Sequence, residues 1–275
     1  MTLILFLFAC GVKAPPREPL GPPQRYRADL VIDVTTEAVD ASGAPVAALA
    51  PLGAFSQRYQ LDLSLAFVRD YRDGSEGLLL RFEGGSARAE AEGAAPITPG
   101  LVGRSLELRR FPDGEVLNIG LLQHAAGGDR HGELFDLLAP VLSPRPPDLP
   151  EVGATELRTA RWPAFLDRQR GWWSTLEARW TLLATERIGP DRAWKLSYEG
   201  RWKVDGGDRS QGAPIEVTGE GPARGTVWLG QADHTLIRHE LDWTRAIAIT
   251  YPSAPQGPVV VRQRQQTRGT VERLP

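Results

Sequence analysis

Residues 58–67 read RYQLDLSLAF, and this stretch decides the fold class. Tyr59, Leu61, Leu63, Leu65 and Phe67 are apolar, and most of the residues between them are polar. Successive side chains of a β-strand point to opposite faces of its sheet, so this alternation indicates a strand with one buried face.

The same alternation recurs along most of the chain. Asp73 and Gly74 supply a turn before residues 78–82, which predicts a hairpin with 58–67. Residues 26–34 predict another long strand, and residues 106–121 predict a second hairpin. The second half repeats this plan with hairpins over 176–204 and 227–249, separated by a glycine-rich loop that includes Gly219 and Gly221. We therefore expect roughly ten strands, which must curl, split or close to manage their edges.

One segment departs from the period of two. Within residues 129–142 the apolar residues take a helical spacing, with Asp129 as a candidate cap, and the proline-rich residues 143–150 predict a crossover. The expected fold is mainly β: a large antiparallel curled sheet or half-barrel with one main helix. Its single body, residues 24–275, would hold two similar halves, 24–145 and 151–275.

The first ten residues form an apolar leader that ends at the only cysteine, Cys10. Leu7-Phe8-Ala9-Cys10 resembles the bacterial lipobox, which has an aliphatic residue three positions before the cysteine and a small residue directly before it. The resemblance implies that residues 1–9 are a lipoprotein signal segment and that Cys10 is lipidated as the first mature residue. Residues 10–23 would then be the lipidated cysteine and a proline-rich tether. The alternative is a buried first strand with an ordinary free cysteine.

The lipobox resemblance also implies a location. Nine residues are too few to cross a bilayer, which takes about 20. Stable anchoring needs at least two acyl signals, and a lipobox cysteine normally carries more than one chain. We expect a body tethered through Cys10 to a membrane of the cell envelope, with the outer membrane as the predicted site.

The predicted architecture is similar to the curled half-barrels of bacterial envelope lipoproteins and lipoprotein carriers. In those proteins an antiparallel sheet wraps a helix or a lipid. The resemblance rests on the strand plan and the leader, and it implies a lipid or another apolar small molecule as ligand. It is an analogy of fold, so the function must be argued from the residues of a site.

Composition argues against several classes of function. The formal net charge of −2 supplies no positive field for nucleic acid. A single cysteine excludes an intramolecular disulfide and a zinc site built from several thiolates. The histidines lack a carboxylate cluster that would complete a metal site. Neither a Gly-x-Ser-x-Gly elbow nor a phosphate-binding or dinucleotide-binding glycine motif occurs, so we expect no metal, no cofactor and no catalysis.

The strand predicted over residues 235–250 places two polar side chains on an apolar face. His239 and Arg245 alternate there with Ile237, Leu241 and Trp243. Buried polar groups must find partners or face a cavity. The first interpretation is a satisfied histidine and an arginine that either pairs with a carboxylate or extends to solvent at the margin of the sheet. The second is a ligand pocket with a polar contact.

Tryptophans add to the pocket interpretation. Trp180 and Trp194 fall on the apolar faces of neighbouring predicted strands, where large aromatic residues either fill a core or line a pocket. The candidate ligand-pocket residues are therefore His239, Arg245, Trp243, Trp180 and Trp194.

Three functional hypotheses follow. The leading one is a non-catalytic envelope lipoprotein whose curled sheet binds an apolar ligand, a lipid or an envelope protein partner. The alternative is a structural or assembly lipoprotein that acts through protein contacts and has a filled core. The third is a hydrolase without a recognisable motif. An apolar cavity favours the first hypothesis, and a packed interior with an exposed apolar patch favours the second.

Overall fold

A computed structural model describes residues 21–46, 54–89, 102–103, 105–112, 115–121, 138, 141–142, 146–163, 171–210, 213–254 and 257–275. These residues form eleven strands: β1 (Gln24–Asp40), β2 (Ala54–Asp70), β3 (Glu76–Ala89), β4 (Ser105–Arg110), β5 (Val116–Leu121), β6 (Thr155–Pro163), β7 (Gly171–Ile188), β8 (Asp191–Ser210), β9 (Ala213–Gly230), β10 (Leu236–Tyr251) and β11 (Val259–Arg273).

All eleven strands belong to one antiparallel sheet with the order β5-β4-β3-β2-β1-β11-β10-β9-β8-β7-β6. The two halves of the chain meet where β1 pairs with β11, with Leu30 opposite Gly269. The sheet is curled and not closed, and β5 and β6 are its two edges. The predicted mainly β fold with a large antiparallel curled sheet is therefore confirmed.

The predicted hairpins are present, as β2–β3, β4–β5, β7–β8 and β9–β10. The turn between β2 and β3 uses Gly74 at φ 78°, a left-handed conformation that glycine adopts without steric cost. Strands β6 and β11 are additions to the predicted plan.

The prediction of one main helix within residues 129–142 is not borne out. In the part of this segment that the structure describes, only Leu138, Val141 and Leu142 are helical, and the other residues lie outside the described ranges. The three side chains are buried in the main core, against the inner face of the sheet. The helical spacing of apolar residues in this segment agrees with the burial of these three side chains. It does not make a helix a main element of the fold.

The prediction of a glycine-rich loop between the two hairpins of the second half is wrong. β8 continues to Ser210 and β9 starts at Ala213, so Gly219 and Gly221 lie inside a strand. A Cβ on Gly221 would stand 1.9 Å from the backbone oxygen of Thr244 in β10. Glycine at this position therefore permits a close approach of two strands, a role that a sequence pattern does not separate from a loop.

A bulge near the start of β10 changes which side chains share a face. The register between β10 and β9 shifts between Leu236 and Arg238, and as a result Ile237 packs in an outer cluster with Ala193 and Trp228. The prediction that Ile237 and His239 share one face of the strand is therefore wrong. A bulge inserts one residue, which exchanges the two faces of the strand beyond it.

The main core lies on the inner, concave face of the curled sheet. It includes residues from all eleven strands, together with the three helical residues. A smaller cluster, made by Val204, Ile215, Val217 and Ile247, lies further along the C-terminal strands. Apolar side chains thus cover the inner face along most of its length.

Candidate functional site

A row of hydrogen bonds crosses the inner face from β10 to the helical segment. The Trp243 indole N–H donates to the Tyr198 hydroxyl at 2.8 Å. The Tyr198 hydroxyl then donates to His239 Nε2 at 2.9 Å, and His239 Nδ1–H donates to the Val141 carbonyl at 3.0 Å. These partners assign His239 as the neutral Nδ1–H tautomer. We call this set of four groups the hydrogen-bonded row.

The hydrogen-bonded row is neutral as well as satisfied. Burial lowers the pKa of His239 to about 4, although the bond to the Val141 carbonyl acts in the opposite direction. Burial also raises the pKa of Tyr198, against the effect of the hydrogen bond from Trp243. Neither group ionises near neutral pH, which fits a structural role for the row better than acid–base chemistry.

Glycine at position 225 allows the Tyr198 side chain to reach its hydrogen-bond partners on β10. Tyr198 in β8 pairs with Gly225 in β9, which in turn pairs with Leu241 in β10. A Cβ on Gly225 would lie 2.4 Å from the Tyr198 hydroxyl oxygen and 2.5 Å from the backbone oxygen of Glu240. The missing side chain lets the tyrosine ring pass over β9 and reach partners on β10.

A second polar group adjoins the row. Trp162 and Trp202 make an edge-to-face contact with ring centroids 4.6 Å apart, and the Arg245 guanidinium carbon lies 5.1 Å from the centroid of the Trp202 ring. Arg245 donates from Nη2 to Gln265 Oε1 at 2.7 Å. Ser174 is directly opposite Trp162 in the β6–β7 register. We call these five residues the donor cluster.

The donor cluster contains polar atoms without hydrogen-bond partners. Among the described residues, the buried atoms Trp162 Nε1, Trp202 Nε1, Gln265 Nε2 and Ser174 Oγ have none. All four side chains belong to residues that are at most 3% exposed. A buried donor without an acceptor costs about 1–3 kcal/mol, so three N–H groups and one hydroxyl without partners in one part of the core carry a substantial cost.

A cavity of about 730 Å³ lies at one end of the curled sheet, and we call it the end cavity. Charged side chains stand at its wall, including the ion pair of Arg110 with Glu76 at 2.5 Å, Arg158 and Asp233. Burial raises the pKa of Tyr26, which also lines it, to about 12. The apolar residues that line it include Tyr26, Leu65, Phe67, Leu78, Leu229 and Leu236.

The structure divides the five predicted pocket residues among these places. His239 and Trp243 belong to the hydrogen-bonded row, and Arg245 belongs to the donor cluster. Trp180 packs on Tyr198 with centroids 4.8 Å apart. Trp194 is half-buried and contacts His234, which lines the end cavity, at 5.0 Å. None of the five is among the described residues that line the end cavity.

Sequence patterns missed Tyr198, Ser174 and Gln265 as members of polar groups on the inner face. Tyr198 sits on a predicted apolar face and gives no signal by itself. Gln265 lies opposite Arg245 in the β10–β11 register, so its role depends on a strand pairing that chain order does not reveal. The one available signal was Arg245 itself, a charge on an apolar face that needs a neighbour.

The described residues contain no group of three or more histidine, cysteine, aspartate or glutamate side chains able to hold a metal ion. In the same ranges, no helix has the length and apolar character needed to cross a membrane. Cys10, His124 and His131 lie outside the described residues.

The sequence matches no protein-family model and no curated protein.

Proposed function

We propose that this protein is a non-catalytic lipoprotein of the bacterial cell envelope, anchored through Cys10, whose curled sheet binds an apolar ligand or a lipid. The observation that carries the proposal is the end cavity, about 730 Å³ in volume, whose wall combines apolar side chains of the inner face with charged and polar side chains. Ligand sites are typically concave, largely apolar and about 300–1,000 Å³ in volume, with a few polar groups.

The wall of the end cavity supports a ligand with both apolar and polar parts. Leu65 and Phe67 are only partly buried although they pack against the main core. Arg110 and Glu76 already neutralise each other, so they form a polar margin without a strong net charge. An apolar molecule entering here would cover leucine and phenylalanine surface, which is favourable by about 25 cal/mol per Å².

Binding of N-phenyl-1-naphthylamine, an apolar fluorescent probe, tests ligand binding directly. We expect saturable binding to the purified protein, and a Leu65→Trp variant that fills part of the end cavity should weaken it at least tenfold. Leu157→Trp is the matched control, because Leu157 is 66% exposed on β6 and does not line the cavity. Equal binding by both variants, or no saturable binding by the parent protein, would reject the end cavity as the binding site.

Mass spectrometry of the membrane-extracted protein tests the proposed anchor. The lipobox resemblance at Leu7–Cys10 leads us to expect a mature chain that begins at an acylated Cys10. Fractionation of Cys10→Ala should then show loss of membrane association. An intact Met1 terminus, or a Cys10→Ala variant that stays on the membrane, would refute the anchor and leave ligand binding to be judged separately.

The structural or assembly lipoprotein stays as the alternative. Val152, Leu157 and Leu183 are large apolar side chains that are exposed on or next to the edge strand β6 and its neighbour β7. If the probe does not bind, and these three residues become protected from solvent when a partner protein binds, this alternative replaces the proposal.

A further inference from the structure

We propose that the donor cluster receives the head group of an amphiphile whose head is an oxyanion, a carboxylate or a phosphate. This inference rests on the proposed function, because it names the class of ligand that the curled sheet would bind. It goes beyond an apolar cavity by assigning chemistry to polar atoms that the fold itself leaves without partners.

The atoms left without partners in the donor cluster are mainly hydrogen-bond donors. Indole N–H groups only donate, and the free Gln265 Nε2 also only donates, because Gln265 Oε1 already accepts from Arg245. Trp162, Trp202 and Gln265 therefore present donors and no free acceptor. A ligand that satisfies them must bring acceptor oxygens.

The residues of the donor cluster are neighbours in the structure. Ser174 faces Trp162 across the β6–β7 register, Trp162 contacts Trp202, and Arg245 joins Trp202 to Gln265. The cluster thus draws on β6, β7, β8, β10 and β11. Trp202, Arg245 and Gln265 lie at one level of the sheet, and Trp162 and Ser174 lie two residues further along their strands. Donors this close on separate strands can converge on one small group, whereas scattered orphan donors could not.

An ionised head group has a further advantage over a neutral one. The N–H donors of Trp162, Trp202 and Gln265 would bond more strongly to an ionised acceptor, because such hydrogen bonds are about twice as strong as neutral ones. A carboxylate or phosphate therefore gains more from this cluster than a hydroxyl head of the same size.

The position of the donor cluster gives the ligand a direction. Val34 on β1 is opposite Gln265, and Tyr26, eight residues earlier on the same face, lines the end cavity. Eight residues of strand cover about 26 Å. A long alkyl chain with its head at the donor cluster would reach toward the end cavity only by displacing the side chains of Ile32, Leu30 and Ala28, which are buried between the two places.

Displacement of N-phenyl-1-naphthylamine from the full chain at pH 8 tests the head group. The competitors are oleic acid, oleyl phosphate and oleyl alcohol, which share one alkyl chain. We expect at least one of the two anions to displace the probe at about tenfold lower concentration than the alcohol, and the tighter anion identifies the head group.

Two variants connect that preference to the donor cluster. Trp202→Phe removes an indole N–H while keeping an aromatic ring, and Ser174→Ala removes a single oxygen atom with little risk to folding. Each should reduce the preference for the anion at least threefold. Trp228→Phe is the matched control, because Trp228 lies in the outer cluster and donates to Glu186; its anion preference should equal that of the parent.

The outcomes separate the two proposals. Failure of the probe to bind the parent protein overturns both the proposed function and this inference. Probe binding with equal displacement by acid, phosphate and alcohol overturns only the oxyanion head. An anion preference that survives both Trp202→Phe and Ser174→Ala overturns its assignment to the donor cluster.

Discussion

The hydrogen-bonded row and the donor cluster lie side by side on the inner face. Trp243 of the row contacts Trp202 of the cluster, with ring centroids 5.0 Å apart. In the row, the Trp243 indole N–H has an acceptor in Tyr198. In the cluster, the chemically identical group of Trp202 has none. Burial alone therefore does not determine whether a polar atom in this core is satisfied: the row pairs its polar groups within the fold, and the cluster keeps donors without acceptors.

Tyr198→Phe breaks the hydrogen-bonded row at its centre. The substitution leaves the Trp243 N–H and His239 Nε2 buried without partners, so we expect the free energy of unfolding to fall by about 4 kcal/mol. Urea denaturation measures this change. Tyr251→Phe, at a half-buried tyrosine near the end of β10, is the control and should change stability by less than about 0.5 kcal/mol. A loss no larger than that of the control would show that the row contributes nothing to stability.

The pH dependence of stability should come partly from His239. The unfolded chain binds a proton on this histidine below pH about 6.5, whereas the folded chain does so only below about 4. Acidification over that range therefore favours unfolding, and the contribution present above pH 6.5 is lost as the pH falls toward 4. Relative to His239→Gln, the parent should lose about 3 kcal/mol between pH 7 and pH 4.

Urea denaturation of both proteins at several pH values measures the His239 contribution. His234, which lies exposed in the β9–β10 turn, supplies the matched variant His234→Gln, which should keep the pH dependence of the parent. Parallel pH profiles for the parent and His239→Gln would contradict the buried neutral histidine.

The two neighbouring tryptophans give the smallest and sharpest stability comparison. Trp243→Phe removes a donor that has an acceptor, and Trp202→Phe removes one that does not. Because both changes remove the same ring volume, their difference isolates the hydrogen bond. We expect Trp243→Phe to destabilise the ligand-free protein by about 2 kcal/mol more than Trp202→Phe. Equal losses would remove the distinction between the row and the cluster.

The alternating pattern of residues 58–67 was enough to predict β2 and its hairpin, because one face of the strand is apolar from Tyr59 to Phe67. β11 gave no such signal, because its inner face carries Gln263, Gln265 and Thr267 between valines. Its pairing with β1 also joins the two ends of the chain, which no local pattern encodes. An alternating apolar pattern therefore identifies strands whose inner face is apolar, and it misses strands whose inner face is partly polar.

The candidate site was predictable only in part. His239 and Arg245 stood out as polar residues on an apolar face, and the structure gives each a buried partner. Their partners did not stand out, because Tyr198 reaches His239 only over Gly225 and because Gln265 meets Arg245 only through the β10–β11 register. These contacts depend on how separate strands align, and a single sequence does not specify that alignment.

Ligand binding at the donor cluster is tested by NMR measurement of the tryptophan indole N–H signals during titration with oleic acid. We predict that the signals of Trp162 and Trp202 move downfield as their N–H groups gain an acceptor, while the signals of Trp243 and Trp228, which already have acceptors, change little. Saturable shifts confined to Trp162 and Trp202 would support ligand binding at the donor cluster. Unchanged signals for these two residues in the presence of excess oleic acid would contradict it.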